Sequence, residues 1–283
     1  MADTTGETAM PDYTMGFGET LAINAEDGTI LNVYRRPGPG PSVILNHGGT
    51  GWSRTWDSLL AALPAEWDVL APDARGHGKS GRAPAYRWND LVSDLSSLIR
   101  ELDLTSPVLV GHSMGAVTVA TYASQNPGAS CIVIEDPAWW TFETKESLRE
   151  KAATWRQSIE TLQRGTIDAH LAFVKEQMPP HLSAAEIRAR AEGERAFDPA
   201  VLVNVLETVP DWREVVTGID CPALLVCGNP SLGAIVTPEQ AKEIRQLNQR
   251  FEIAMVTGAG HAVSREAKDA YVEAVVPFIS RLA

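Results

Sequence analysis

Six short runs of apolar, mostly branched residues recur along this chain with helical stretches between them, and that alternation limits its fold more than any other feature. "SVILN", "WDVLA", "PVLVG", "ASCIVIE", "PALLVCG" and "FEIAMV" read as strands buried on both faces. Trp52 to Leu63, "RWNDLVSDLSSLIREL", Met114 to Ser124 and "PEQAKEIRQLNQ" read as the intervening helices, with a last one from about Glu266 to Arg281. Crossovers of that length join parallel strands. The expected class is therefore α/β, a mostly parallel, doubly wound sheet. "ETLAIN" and "TILNVYRR", joined by the turn Asp27-Gly28, are expected to add an antiparallel hairpin at one edge.

The alternation stops between "IEDPAWW" and "VVTGIDCP". Residues 138–216 hold helical stretches such as "KESLREKAATWRQSIETL", "IDAHLAFVKEQM" and "SAAEIRARAEGERA", with no convincing strand. An insertion after one strand of a parallel sheet lies at the sheet's carboxyl edge, where open α/β folds bind ligands. It is read as a helical cap. The core is then 16–137 with 217–283, and residues 1–15 form a flexible polar tail.

Composition removes several classes of partner. A formal charge of -12 opposes attraction to phosphate backbones and anionic lipid, so no nucleic acid is expected. No run of 18 apolar residues marks a membrane span, and the N-terminus lacks the basic and apolar regions of a signal peptide. The cysteines, Cys131, Cys221 and Cys227, form no metal-ligand spacing, and their odd number suits a reducing compartment, with the cytoplasm as the default. No metal is expected, and the oligomeric state is left open, a homodimer being one option.

The chemistry begins at "VLVGHSMGAVTVA". Gly111-His112-Ser113-Met114-Gly115 fits G-x-S-x-G between an expected strand and an expected helix, the context that motif requires. Glycines on both sides let the backbone approach itself closely and lift the hydroxyl out of the sheet edge. A serine hydroxyl there needs an imidazole to take its proton. His261, in the "GAGH" loop after "FEIAMVTG", falls at the same edge.

With "NHGGTGW", "PDARGHGKS", "GHSMGA" and "GAGHAVSRE" in this order, the chain resembles the α/β-hydrolase superfamily over almost its whole length outside the tail and the cap. The resemblance implies Ser113 as nucleophile, His261 as base, and the amides of Gly49 and Met114 as an oxyanion hole, with no cofactor. Most members carry their acid after the penultimate strand. Here that place reads "CGNPSLGAIVTPE", and Asn229, Pro230 and Ser231 offer no carboxylate. Some branches take the acid from just after the preceding strand, including certain haloalkane dehalogenases, some lactonases and cofactor-free ring-cleaving dioxygenases. The expected acid is Glu135, because the residue ending the strand projects toward the sheet edge. Asp136, which fits a turn before Pro137, is the alternative.

The remaining histidines are assigned structural roles: His112 in the elbow, His47 and His77 in loops at the mouth, His170 and His181 on solvent-facing cap positions. Trp52, Trp139, Trp140 and Leu232 flank the active-site loops and are expected to line an apolar substrate pocket, packing of cap on core being the other reading of the tryptophans. Arg54 and Arg75 could meet an anionic substrate or anchor loops. The expected activity is hydrolysis of a small carboxylic ester or lactone through an acyl-enzyme. The rivals are a cofactor-independent dioxygenase or lyase on the same scaffold and a hydrolase-like small-molecule sensor.

Overall fold

The computed structural model describes residues 16–139, 144–180, 182–207 and 209–283, with the side chains of 204–207 left out. Expectations for the tail 1–15, Trp140 and His181 lie outside these residues. Among the described residues, one eight-stranded sheet runs in the order β1-β2-β4-β3-β5-β6-β7-β8. The strands are β1 (Glu19–Asn24), β2 (Ile30–Arg36), β3 (Ser42–Asn46), β4 (Asp68–Pro72), β5 (Val108–His112), β6 (Cys131–Glu135), β7 (Ala223–Cys227) and β8 (Phe251–Met255). β1 and β2 form the antiparallel edge hairpin, and β2 also pairs antiparallel with β4. From β4 through β8 every pairing is parallel.

Alternation along each parallel strand separates two cores. Ile44, Leu109, Ile132, Ile134 and Leu225 face one layer, whereas Val43, Leu45, Val110, Val133 and Val226 face the other. α2 (Trp88–Glu101) covers the first layer with Trp88, Leu91, Leu95 and Leu98, a 3.6-residue stripe. α3 (Met114–Gln125) buries small residues on nearly every side and can therefore lie close against the sheet. The second layer is covered by α1 (Asp57–Ala62), reached through a 3-10 turn over Ser53–Trp56, and by the C-terminal helix. The expected single helix from Trp52 to Leu63 is thus split in two.

Between β6 and β7 lie α4 (Lys145–Arg164), α5 (Ile167–Gln177), α6 (Ala184–Ala196), α7 (Ala200–Glu207) and α8 (Trp212–Gly218). Thr144, Thr166, Ser183 and Asp211 each precede one of these helices and accept a backbone N–H of its first turn. β7 is followed by a 3-10 turn over Pro230–Leu232 and α9 (Pro238–Leu247). After β8 come the one-turn α10 (Val263–Glu266), which the sequence does not suggest, and α11 (Lys268–Leu282), the expected last helix. No helix among the described residues is long and apolar enough to cross a membrane.

Candidate active site

β5 ends at His112 and α3 begins at Met114, so Ser113 alone carries the reversal of chain direction. Its backbone takes φ 53°, ψ -110°, a conformation that a side-chain-bearing residue adopts only when its surroundings impose it. The glycines impose it. A Cβ on Gly111 would lie 2.3 Å from the Gly115 carbonyl oxygen, and one on Gly115 would lie 2.1 Å from that of Asn46. The Ser113 amide donates to the Glu135 carbonyl at 2.9 Å, which ties the elbow to the next strand.

Ser113 Oγ lies 2.9 Å from His261 Nε2, and His261 Nδ1 donates to Asp136 Oδ2 at 2.6 Å. The acid at the imidazole is therefore Asp136, which corrects the expectation of Glu135. The reason is the period of the strand. Cys131 and Val133 point into the second layer, and Glu135, two residues on, follows them and accepts the Ser264 amide at 2.7 Å. Asp136 then takes φ 38°, which turns its side chain over the sheet edge toward His261. Its carboxylate is completed by the amides of Ile235 at 2.8 Å and Val236 at 2.9 Å. The loop after β7, which lacks the usual carboxylate, thus supplies two donors to one carried by β6. Burial pushes the Glu135 carboxyl up to about 8, the Ser264 amide acting in the opposite sense.

The histidines around this line are structural. His112 Nε2 donates to the His261 carbonyl at 3.0 Å, and burial, with His261 beside it, holds its imidazole well below the ordinary range and so neutral. Gly48 packs against it, since a Cβ there would stand 2.6 Å from His112 Nδ1 and 3.1 Å from Ser113 Cβ. His47 Nδ1 donates to the Gly48 carbonyl and its Nε2 accepts the Ala74 amide, while His77 Nδ1 donates to the Arg75 carbonyl. His170 is not solvent-facing; it is buried and pairs with Glu194 at 2.8 Å.

A cavity of about 420 Å3 opens over Ser113 and His261, with Gly49 on its wall. Ile159, Leu162, Phe173 and Val174, from α4 and α5, form much of its apolar lining, and the half-exposed Trp155 stands at the rim. The expected pocket residues lie elsewhere. Trp52 is buried, and its indole N–H donates to the Ala189 carbonyl at 2.9 Å, tying the loop after β3 to α6. Trp139 is buried and stacks on Trp212 in the first core layer, whereas Leu232 is exposed. Met114 is buried behind the elbow. Large aromatics flanking a mouth were the visible signal, but core packing claimed them.

Sequence reading also missed Arg190 and Arg265, which line the cavity with Glu194 and Glu266. The available signal was spacing: Arg265 lies four residues beyond His261, within the short α10. Arg54 and Arg75 are loop anchors instead. Arg75 grips Asp94 at 2.6 and 2.7 Å and reaches Asp27, and Arg54 lies 3.6 Å from Asp57 and 3.7 Å from Glu192. Among the described residues, no group of three His, Cys, Asp or Glu side chains could hold a metal ion.

Residues 43–274 match the model of the alpha/beta hydrolase family, and the chain belongs to that family. It is 29% identical over 276 residues to the 2-(acetamidomethylene)succinate hydrolase of Mesorhizobium japonicum, an alignment covering 92% of this chain and 95% of that one. It is 26% identical over 278 residues to the N-formylmaleamate deformylase of Pseudomonas putida, covering 89% and 94%. The crystal structure of E-2-(acetamidomethylene)succinate hydrolase superposes with a TM-score of 0.79 at 24% identity, covering 93% of this chain and 99% of that one.

Proposed function

We propose that this protein is a serine hydrolase that cleaves the acyl bond of a small ester or amide through an acyl-enzyme. The observation that carries the reading is the unbroken hydrogen-bond line from Asp136 through His261 to Ser113 Oγ, with links of 2.6 and 2.9 Å. In this reading Ser113 Oγ attacks the carbonyl carbon while His261 Nε2 takes its proton. Asp136, held by two backbone amides, keeps Nδ1 protonated and stabilises the imidazolium that forms. The amides of Gly49 and Met114 receive the oxyanion, Met114 being the first residue of α3, where the helix dipole also favours negative charge. The leaving group takes the proton from His261, and water then repeats the sequence on the acyl-enzyme.

The helices α4 to α6 serve as part of a cap, with α4 and α5 giving the substrate its apolar wall. The two relatives named above act, by their names, on an acetamido and an N-formyl compound, which supports adding amides to the esters and lactones that suit a serine nucleophile. The three cysteines are free and buried, which supports a cytoplasmic setting.

The test is labelling by a fluorophosphonate probe together with turnover of a panel of nitrophenyl esters, lactones and N-acyl amides. Ser113→Ala is expected to abolish labelling and to lower turnover by about a thousandfold or more. Oxygen uptake without acyl release would replace this reading with the dioxygenase one.

A further inference from the structure

Arg265 is the one guanidinium on the cavity wall that makes neither a hydrogen bond nor an ion pair within 4.0 Å among the described residues, whereas Arg190, the other, is bound through Nε to Glu194. The acids around Arg265 are each engaged elsewhere. Glu266 accepts the amides of Gly260 and Ala262, and Glu194 is shared between Arg190 and His170. Glu135, on the sheet side, is held by the Ser264 amide. With its carboxyl pushed up to about 8 by burial, it carries little charge at neutral pH. Burial and the neighbouring Arg190 pull the Arg265 guanidinium down to about 10, with Glu135, Glu266 and Glu194 opposing, so it remains a cation at neutral pH. Arg265 is partly buried, and its guanidinium donors have no protein partner among the described residues, so they are open to an anion that enters the cavity.

We propose that Arg265 is an anion subsite of this cavity and that the substrate carries a carboxylate which pairs with it while its acyl carbon meets Ser113. This rests on the hydrolase reading and names the substrate class for the same site. The planar guanidinium matches a carboxylate through two parallel N–H donors. One guanidinium whose N–H donors are unused suits a single carboxylate. Placement on α10, which begins two residues after His261, keeps the subsite close to the base along the chain.

The experiment compares the 4-nitrophenyl half-esters of glutaric, adipic and suberic acids with the neutral alkanoate esters of the same lengths, using the full-length protein and its Arg265→Gln and Arg265→Lys variants. Wild type is expected to prefer at least one half-ester. In Arg265→Gln the ratio of kcat/KM, half-ester over neutral ester, is expected to fall about ten- to hundredfold, chiefly through KM. Arg265→Lys, which keeps the charge, should restore part of the ratio. A merely structural role would move both esters together, and an unchanged ratio, or no preference for any half-ester in wild type, overturns the proposal. Calorimetric titration with adipate separates this outcome from failure of the hydrolase reading: wild type that turns over no ester yet binds adipate in an Arg265-dependent way keeps the subsite and loses the chemistry. Absence of Arg265-dependent binding in such a protein removes the subsite as well.

Discussion

His261 and Asp136 lie 125 residues apart in the chain and meet in a 2.6 Å hydrogen bond, while Glu135, one residue from the aspartate, faces the opposite way into the second core layer. Two adjacent carboxyl groups thus have different environments and should answer substitution differently. Asp136→Asn is expected to lower kcat by about ten-thousandfold through loss of the correct imidazole tautomer. Glu135→Gln, which retains an acceptor for the Ser264 amide, should leave kcat within a few-fold. Steady-state kinetics on one nitrophenyl ester distinguishes the two, and a reversed ranking would remove Asp136 from its role.

Glu135 also makes a pH-dependent contribution to stability. Its folded-state value, about 8, lies above the ordinary 4.5, so the native state binds the proton more tightly than the unfolded chain does. The contribution is complete below about pH 4.5 and is lost as pH rises toward 8. Thermal unfolding between pH 5 and 8 should therefore show wild type losing Tm relative to Glu135→Gln as pH increases. Parallel Tm curves would contradict this.

The elbow glycines are packing requirements. An alanine at position 115 would place its Cβ 2.1 Å from the Asn46 carbonyl oxygen, and one at 111 would meet the Gly115 carbonyl at 2.3 Å, both backbone atoms that cannot step aside. Gly115→Ala and Gly111→Ala are each expected to cost about 3 kcal/mol or more, read by denaturant titration.

Trp52 joins the loop after β3 to α6 through its hydrogen bond to the Ala189 carbonyl, and Gly193 packs so closely that a Cβ there would reach the indole at 2.9 Å. Trp52→Phe should cost about 1 kcal/mol and speed amide exchange in α6. Exchange unchanged over residues 184–196 would show that the tie does not hold that helix.

Much of the sheet could be read from sequence because each parallel strand is buried on both faces, and a run such as "CIVIE" has few other uses. That Ser113 and His261 come together at one sheet edge was legible because their loops follow such runs. Glu135 misled because choosing between two adjacent residues at a strand end depends on one backbone angle, the φ of 38° at Asp136, which no residue pattern announces. Trp139 misled for another reason: an aromatic residue near a mouth suits a substrate wall and a core layer equally, and only Trp212, over 70 residues later, decides between them. Arg265 stands inside the stretch "GAGHAVSRE" with nothing to set it apart from its neighbours but its distance from His261. Its meaning depends on the lack of a partner, a property of the assembled cavity.

The two amides of Ile235 and Val236 that grip Asp136 have a consequence for anyone who redesigns this scaffold. A carboxylate installed at Asn229, where many relatives of this fold keep theirs, would retain the Ser231 amide and hydroxyl as donors but set an anion against the Thr257 carbonyl that Asn229 Nδ2 now serves. The Ile235 and Val236 amides would still point at Asp136, so relocating the acid takes more than a single exchange at 229.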